Sequence, residues 1–210
     1  TSTICEGTNV SLSGTGTASI TAGSGSISGS DYVTGNIGSD ETVTIRYTVS
    51  ANGQCSGSTA DKSFTVNAAP STATNTTSTS TICEGTNVSL SGTGTASITA
   101  GSGSISGGDY VTGSISSDET ATITYTVSAN GACSATTADA SFTVNAAPTA
   151  AANTTPTSDV CEGTNVTLAG TGTASITAGS GSISGGDYVT GDIGSDETVT
   201  IRNTMAANGQ

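Results

Sequence analysis

The stretch ETVTIRYTVS, Glu41–Ser50, decides the fold. Val43, Ile45, Tyr47 and Val49 alternate with Thr44, Arg46, Thr48 and Ser50. Strict period two over eight residues puts one face on a core and the other in water, which is the pattern of a half-buried β-strand. The same alternation returns further along the chain, with Ala121, Ile123, Tyr125 and Val127 on one face and Thr122, Thr124, Thr126 and Ser128 on the other. Downstream of the first stretch, Phe64 and Val66 alternate with Ser63 and Thr65, and Phe142 and Val144 repeat them. Upstream, Val10 and Leu12, and again Val88 and Leu90, form shorter alternating pairs. Gly, Ser, Asn and Asp punctuate the runs at Gly23–Gly25, Gly35–Asn36 and Asn52–Gly53. Ile20 and Ile27 have opposite parity, so a turn or bulge between them is predicted to return both to the core. No segment has helical periodicity. About seven short strands per repeat, broken by frequent turn signals, predict a two-sheet β-sandwich.

Repetition sets the organisation. CEGTNV begins at Cys5, Cys83 and Cys161, at equal intervals, and TASITAGSGSISG follows in each copy. SDET recurs at Ser39, Ser117 and Ser195 with the same interval. Self-similarity at a fixed period marks a tandem-repeat protein. The predicted domains are repeat 1 over residues 1–78, repeat 2 over 79–156 and a partial repeat 3 over 157–210. The linkers fall at about 68–78 and about 146–156, where Pro70, Pro148 and Pro156, the three prolines of the chain, sit among small polar residues. The third copy stops at Gln210, one residue before its second cysteine would fall. The expectation is that the chain continues, the alternative being that another subunit supplies the missing strands.

Composition restricts function. Arg46, Lys62 and Arg202 face sixteen acidic residues, for a net charge of −13. Nucleic-acid binding depends on neutralising phosphates with Lys and Arg, so nucleic acid is a poor partner. Anionic membrane surfaces are disfavoured for the same reason, and no segment reaches the roughly 20 apolar residues that span a bilayer. Hydrophobic residues make up 32% and aromatics 3%, with no Trp. Such a chain can build several thin cores but not one large one. In repeat 2 the predicted core is Ile82, Val88, Leu90, Ile98, Ile105, Tyr110, Val111, Ile115, Ile123, Tyr125, Val127, Phe142 and Val144. Small domains with so few large residues usually need a staple.

The cysteines suggest that staple. Cys5 and Cys55 are as far apart in sequence as Cys83 and Cys133, so each complete repeat is expected to hold one internal disulfide, with Cys161 left unpaired. Closing such a loop is worth about 4 kcal/mol in the chain-entropy model. Free thiols in a reducing compartment are the alternative. A zinc site is disfavoured by the lack of His and of closely spaced Cys pairs.

CEGTNVSLSG, the Ile-bearing Gly/Ser segment, SDETVTIRYTV, the second cysteine and DKSFTVNAAP together resemble the immunoglobulin-like repeats of large Bacteroidota surface proteins. Asp61 and Asp139 match that family's acidic position just before the last strand, whereas the Trp often found mid-module is absent. The resemblance implies an all-β fold of tandem immunoglobulin-like β-sandwich repeats at the cell surface, of the kind found in adhesins, gliding-associated proteins and stalks of secreted enzymes.

Candidate chemistry is sparse. Without His there is no Ser/His/Asp triad, and a non-catalytic protein without cofactors is expected. The paired acids Asp40–Glu41, Asp118–Glu119 and Asp196–Glu197 suggest glycoside hydrolysis or calcium, with Asp31 or Asp61 helping at a module edge. Adjacent strand residues point to opposite faces, so a solvated turn is the expectation. Asn9, Asn75, Asn87, Asn153 and Asn165 are candidate glycosylation sites by sequon. Tyr32, Tyr110 and Tyr188, in repeated Asp-Tyr-Val, are the candidates for stacking on a glycan, against the alternative of packing at a core edge. The Thr-rich TGTGTASIT stretch invites an ice-binding reading, though it is also ordinary strand surface. Asn203 stands where the other repeats have Tyr47 and Tyr125, with Met205 in place of Val49, which predicts a weaker third copy. The expected role is a structural module of an extracellular fibre or adhesin stalk whose partners are copies of itself. The alternatives are a filament joined by β-strand donation, a glycan- or host-surface-binding module, and a spacer on a secreted enzyme.

Overall fold

A computed structural model describes residues 2–208. The protein is all-β, with 52% strand and no helix among the described residues. Internal contacts divide it into two units that interleave along the sequence. One comprises Thr1–Thr79, Asn87–Val111 and Thr120–Phe142, and the other Ser80–Thr86, Thr112–Glu119 and Thr143–Gln210.

The first repeat supplies seven strands to the first unit: β1 (Thr3–Cys5), β2 (Asn9–Ser11), β3 (Thr17–Ala22), β4 (Ser26–Ser28), β5 (Asp31–Val33), β6 (Glu41–Val49) and β7 (Ser58–Asn67). They form one sheet ordered β1-β7-β6-β3 and another ordered β2-β5-β4. The alternating stretch at Glu41–Val49 is the centre of the larger sheet, paired with β7 from Glu41↔Val66 to Val49↔Ser58. Val43 and Ile45 from β6 and Phe64 and Val66 from β7 meet Tyr32 of β5 and Ile37 in a buried cluster. The Tyr32 and Phe64 rings pack edge to face at 5.2 Å, a geometry that aromatic quadrupoles favour. Val43, Val66 and Tyr32 are completely buried.

The expected irregularity after Ile20 is present. The β3–β6 register shifts between Ile20 and Ala22, and the chain turns at Gly23 and Gly25 (φ 85° and 103°). Ile27 thereby reaches the opposite sheet, on β4. Two predicted inward positions are not covered: Val49 is 42% and Ile105 38% exposed. Val49 ends a nine-residue strand that outruns the three-residue strands facing it. Ile105 lies on the edge strand Gly103–Ser106 of its sheet.

The residues expected as linker between the first two repeats are partly strand. β8 (Thr74–Asn75) pairs antiparallel with Gly92–Thr93, inside the same unit. That unit also holds the Thr120–Phe142 portion of the hairpin of Glu119–Val127 with Thr136–Asn145, which repeats β6–β7. Tyr110 and Phe142 repeat the Tyr32–Phe64 contact, again at 5.2 Å.

In the second unit, Ile82–Cys83 runs parallel to Val144 and Asn145. The third repeat adds Asn165–Thr167 and Ser182–Ser184 on either side of Asp187–Val189, and Thr173–Ala178 paired with Thr200–Thr204. Its linker strand Ala152–Asn153 pairs with Gly170–Thr171, as β8 does with its own partner.

Candidate functional site: the joint between repeats

The CEG motif is a turn. The Thr8 N–H donates to the Cys5 carbonyl at 3.1 Å, and Gly7 takes φ 83°. A positive φ at the third position of a four-residue turn is the type II requirement, which glycine meets without strain. Thr86 and Thr164 donate in the same way to Cys83 and Cys161. Glu6 then fastens the turn, its carboxylate accepting the Ile37 N–H at 3.1 Å and the Ala69 N–H at 3.0 Å. Glu84 accepts from Ser114 and the Ala147 N–H, both at 3.0 Å. The Ala147 N–H, with Ser114 beside it, holds the Glu84 carboxyl below its ordinary range.

β1 lies parallel to the end of β7, with Cys5 opposite Asn67. Asn67 is more than nine-tenths buried, and its amide donates to Asp40 Oδ2 at 2.7 Å. Asp40 Oδ1 accepts the Ala68 N–H at 2.9 Å. These groups form a socket at the exit of the first repeat.

The plug is the hairpin Asn130–Cys133 of the second repeat, closed by backbone hydrogen bonds in both directions between those two residues. Asn130 Nδ2 donates to Asp40 Oδ1 at 2.7 Å and to the Ala68 carbonyl at 3.0 Å. The Ala132 N–H donates to Asn67 Oδ1 at 2.9 Å. Gly131 (φ 53°) sits so close that a Cβ there would overlap the Asn67 amide. The Ala68 N–H and the two asparagine amides hold the Asp40 carboxyl below the ordinary carboxylate value.

A disulfide closes this socket. Cys5 is bonded to Cys133, with their Cα atoms 4.8 Å apart, while Cys55, Cys83 and Cys161 are free. This corrects the expected pairs Cys5–Cys55 and Cys83–Cys133, and the reason is geometric. Cys5 stands beside Asn67, at the end of β7, whereas Cys55 lies before Ser58, at its start. The nine steps between those ends span roughly 30 Å at about 3.3 Å per residue, far beyond the ~7 Å over which a disulfide can form. A matching interval in sequence closes no bridge when a full strand length separates its ends.

The linker contributes a second fastening. Asn75 Nδ2 donates to the Ile123 carbonyl at 2.7 Å, and the Thr76 N–H donates to the Ser91 carbonyl at 2.8 Å. Thr136 Oγ1 accepts the Ala73 N–H and donates to the Ser71 carbonyl, both at 2.9 Å. Ala73 and Thr77 are buried. Asn153 repeats the first of these contacts in the second unit, donating to the Ile201 carbonyl at 2.9 Å.

The remaining candidates are placed as follows. Glu41 accepts from the Ser24 N–H and hydroxyl, and Glu197 from those of Ser180. Asp118 accepts the Ala146 N–H at 2.9 Å. The SDET acids Asp40, Glu41, Asp118 and Glu197 are thus bonded within the protein rather than lying on a merely solvated turn. Glu119 begins the strand Glu119–Val127. Asp31 accepts from Ser11, Asp61 from Arg46 Nε and Nη2 at 2.7 and 2.8 Å, and Asp139 from Thr124. The Arg46 hydrogen bonds hold Asp61 below its ordinary value. No group of three or more metal-ligating side chains is gathered among the described residues. No helix among them is long and apolar enough to cross a membrane.

Tyr32, Tyr110 and Tyr188 are buried core residues whose hydroxyls donate to the carbonyls of Ser24, Ser102 and Ser180. Their rings are closed to a sugar, which removes them as stacking candidates. Among the sequons, Asn9, Asn87 and Asn165 are exposed at strand starts. Asn75 and Asn153 already use the amide nitrogen that a glycan would take. Asn203 donates to the Ala152 carbonyl at 2.8 Å, but its Oδ1 is buried without a partner. Beside it lies an open cleft of about 290 Å³ lined by Leu168, Gly170, Ala174 and Ile183, matched in the first repeat by one of about 240 Å³ beside Tyr47.

Sequence reasoning did not single out Asn67, Asn130 and Asn145, which build the joint. Their only signal is recurrence from one repeat to the next, and nearly every other residue recurs as well. Comparison with known proteins gives no matching family model and no matching curated protein.

Proposed function

We propose that this chain is a tension-bearing structural segment of an extracellular surface fibre or adhesin stalk, made of tandem immunoglobulin-like repeats and without catalytic activity. The observation that carries this reading is the Cys5–Cys133 bond, which joins one repeat to the next instead of stapling each internally. A covalent joint reinforced by a buried polar socket and a paired linker strand is a means of transmitting force along an array. A disulfide also suits an oxidising, extracellular compartment. The tied carboxylates and buried tyrosines leave little exposed chemistry for catalysis or sugar binding.

Single-molecule pulling from the two ends tests the proposal. The bond shields the 128-residue separation between its cysteines from extension. Reduction should therefore release additional contour length on the order of 40 nm, at about 3.3–3.6 Å per residue. Full extension at low force under oxidising conditions would overturn it.

A second reading, polymerisation by strand donation, is favoured by one observation: β8 already adds itself to a neighbouring repeat. Exchange of that strand between chains would give polymers that grow with concentration and survive reductant, which sedimentation can measure.

A further inference from the structure

The bridge between Cys5 and Cys133 has a half-built twin in the second unit. Cys83 lies opposite Asn145 in the parallel pair, as Cys5 lies opposite Asn67. Asn145 is more than nine-tenths buried, like Asn67. The Glu84 N–H donates to the Asn145 carbonyl at 2.8 Å, and the Glu6 N–H to the Asn67 carbonyl at 2.9 Å. Asp118 Oδ1 accepts the Ala146 N–H at 2.9 Å, as Asp40 accepts that of Ala68. The plug is also started. Asn208 Nδ2 donates to Asp118 Oδ1 at 2.8 Å and to the Ala146 carbonyl at 3.0 Å. These are the two acceptors, in the same order, that hold Asn130 on Asp40 and Ala68 at 2.7 and 3.0 Å.

We infer that Cys83 is the receiving half of a second bridge, and that the site takes a cysteine placed three residues beyond an asparagine seated as Asn208 is. The spacing is that of Asn130 to Cys133. The general rule is that the first cysteine of a repeat bonds the second cysteine of the following one. The free Cys55 fits the rule as a donating half. Its hairpin is closed by the same pair of Asn52–Cys55 backbone hydrogen bonds, at 3.1 and 3.0 Å. Gly53 has φ 60°, yet nothing lies within 4 Å of where its Cβ would be, whereas Gly131 is pressed against Asn67. The plug is formed before it is seated. Its socket would be the Cys-Glu-Gly turn of another copy of the repeat.

The chemistry is an oxidation. Two thiols lose two protons and two electrons as the S–S bond forms, and a small-molecule disulfide such as oxidised glutathione accepts them and leaves as two thiols. This goes beyond the stalk reading, because it specifies which sulfurs join, whatever the array carries.

The test is the full chain with one cysteine appended after Gln210 and the substitutions Cys55→Ser and Cys161→Ser. The protein is oxidised with oxidised glutathione and mapped by non-reducing peptide mass spectrometry. The expected result is a bridge from Cys83 to the appended residue beside an intact Cys5–Cys133 bond, which reports correct folding. Asn208→Ala should lower the equilibrium yield of the new bridge against glutathione about tenfold, the worth of roughly 1.4 kcal/mol of lost hydrogen bonding. An appended cysteine that stays capped by glutathione, or pairs between chains, while Cys5–Cys133 is present would overturn the inference. That failure would leave the stalk proposal standing, since the pulling experiment reads the first bridge alone.

Discussion

Gly131 and Gly53 occupy the same place in the same hairpin, but only Gly131 is packed against a socket. Replacing Gly53 with Ala should therefore cost only the positive-φ penalty, about 1–2 kcal/mol. Gly131→Ala adds an overlap with the buried Asn67 amide and should cost about 3–4 kcal/mol. Thermal melting of the two variants checks the difference, and equal losses would mean the plug is not seated. Asp40 adds a pH dependence. Its hydrogen bonds hold the folded pKa below the ordinary 3.8, so the unfolded chain takes up the proton first on acidification. The stability it contributes is thus complete above about pH 5 and is lost as pH falls below 3.8 toward the folded pKa. Melting from pH 6 to pH 2 should show the gap between the native protein and Asp40→Asn closing on the acid side. In the third repeat, Asn203→Tyr restores the ring of the other copies and removes the unpartnered Oδ1. A gain of about 1–3 kcal/mol is expected in denaturant titration.

At the scale of elements, the strands follow from alternation. Val43, Ile45, Phe64 and Val66 were legible because period two is a local property and every inward residue there is apolar. Where the pattern failed, as at Val49 and Ile105, the residue type was right but coverage depended on the length or edge position of strands elsewhere. The linker was misleading for a different reason. Thr74–Asn75 has too little apolar content to suggest a strand, and its pairing depends on the Asn75 amide reaching the Ile123 carbonyl of the next repeat. Asn75→Ala removes that hydrogen bond and the one Asn75 accepts from the Thr77 N–H, and should cost about 1–3 kcal/mol. The loss should appear as faster proteolytic cleavage within residues 71–79 than in the native protein. Unchanged cleavage would reduce β8 to an incidental contact.

On the scale of the whole molecule, the repeat was plain in the sequence and the joint was not. A fixed period shows what is copied but not which copy a cysteine faces. That depends on the direction of β1 relative to β7: a parallel pairing brings Cys5 to Asn67 and leaves Cys55 a strand length away. The socket residues Asn67 and Asn130 were hidden similarly, since each resembles ordinary turn punctuation until the repeats are brought together, and Asp40 stood out only as one of a pair of acids. The resulting bridge constrains a longer segment than an internal staple would, worth about 5 kcal/mol in the chain-entropy model. The most direct measurement is peptide mass spectrometry of the protein isolated with free thiols blocked and no reductant added. It should find Cys5 joined to Cys133, with Cys55, Cys83 and Cys161 carrying the blocking group. Recovery of Cys5 joined to Cys55 and of Cys83 joined to Cys133 would contradict the account.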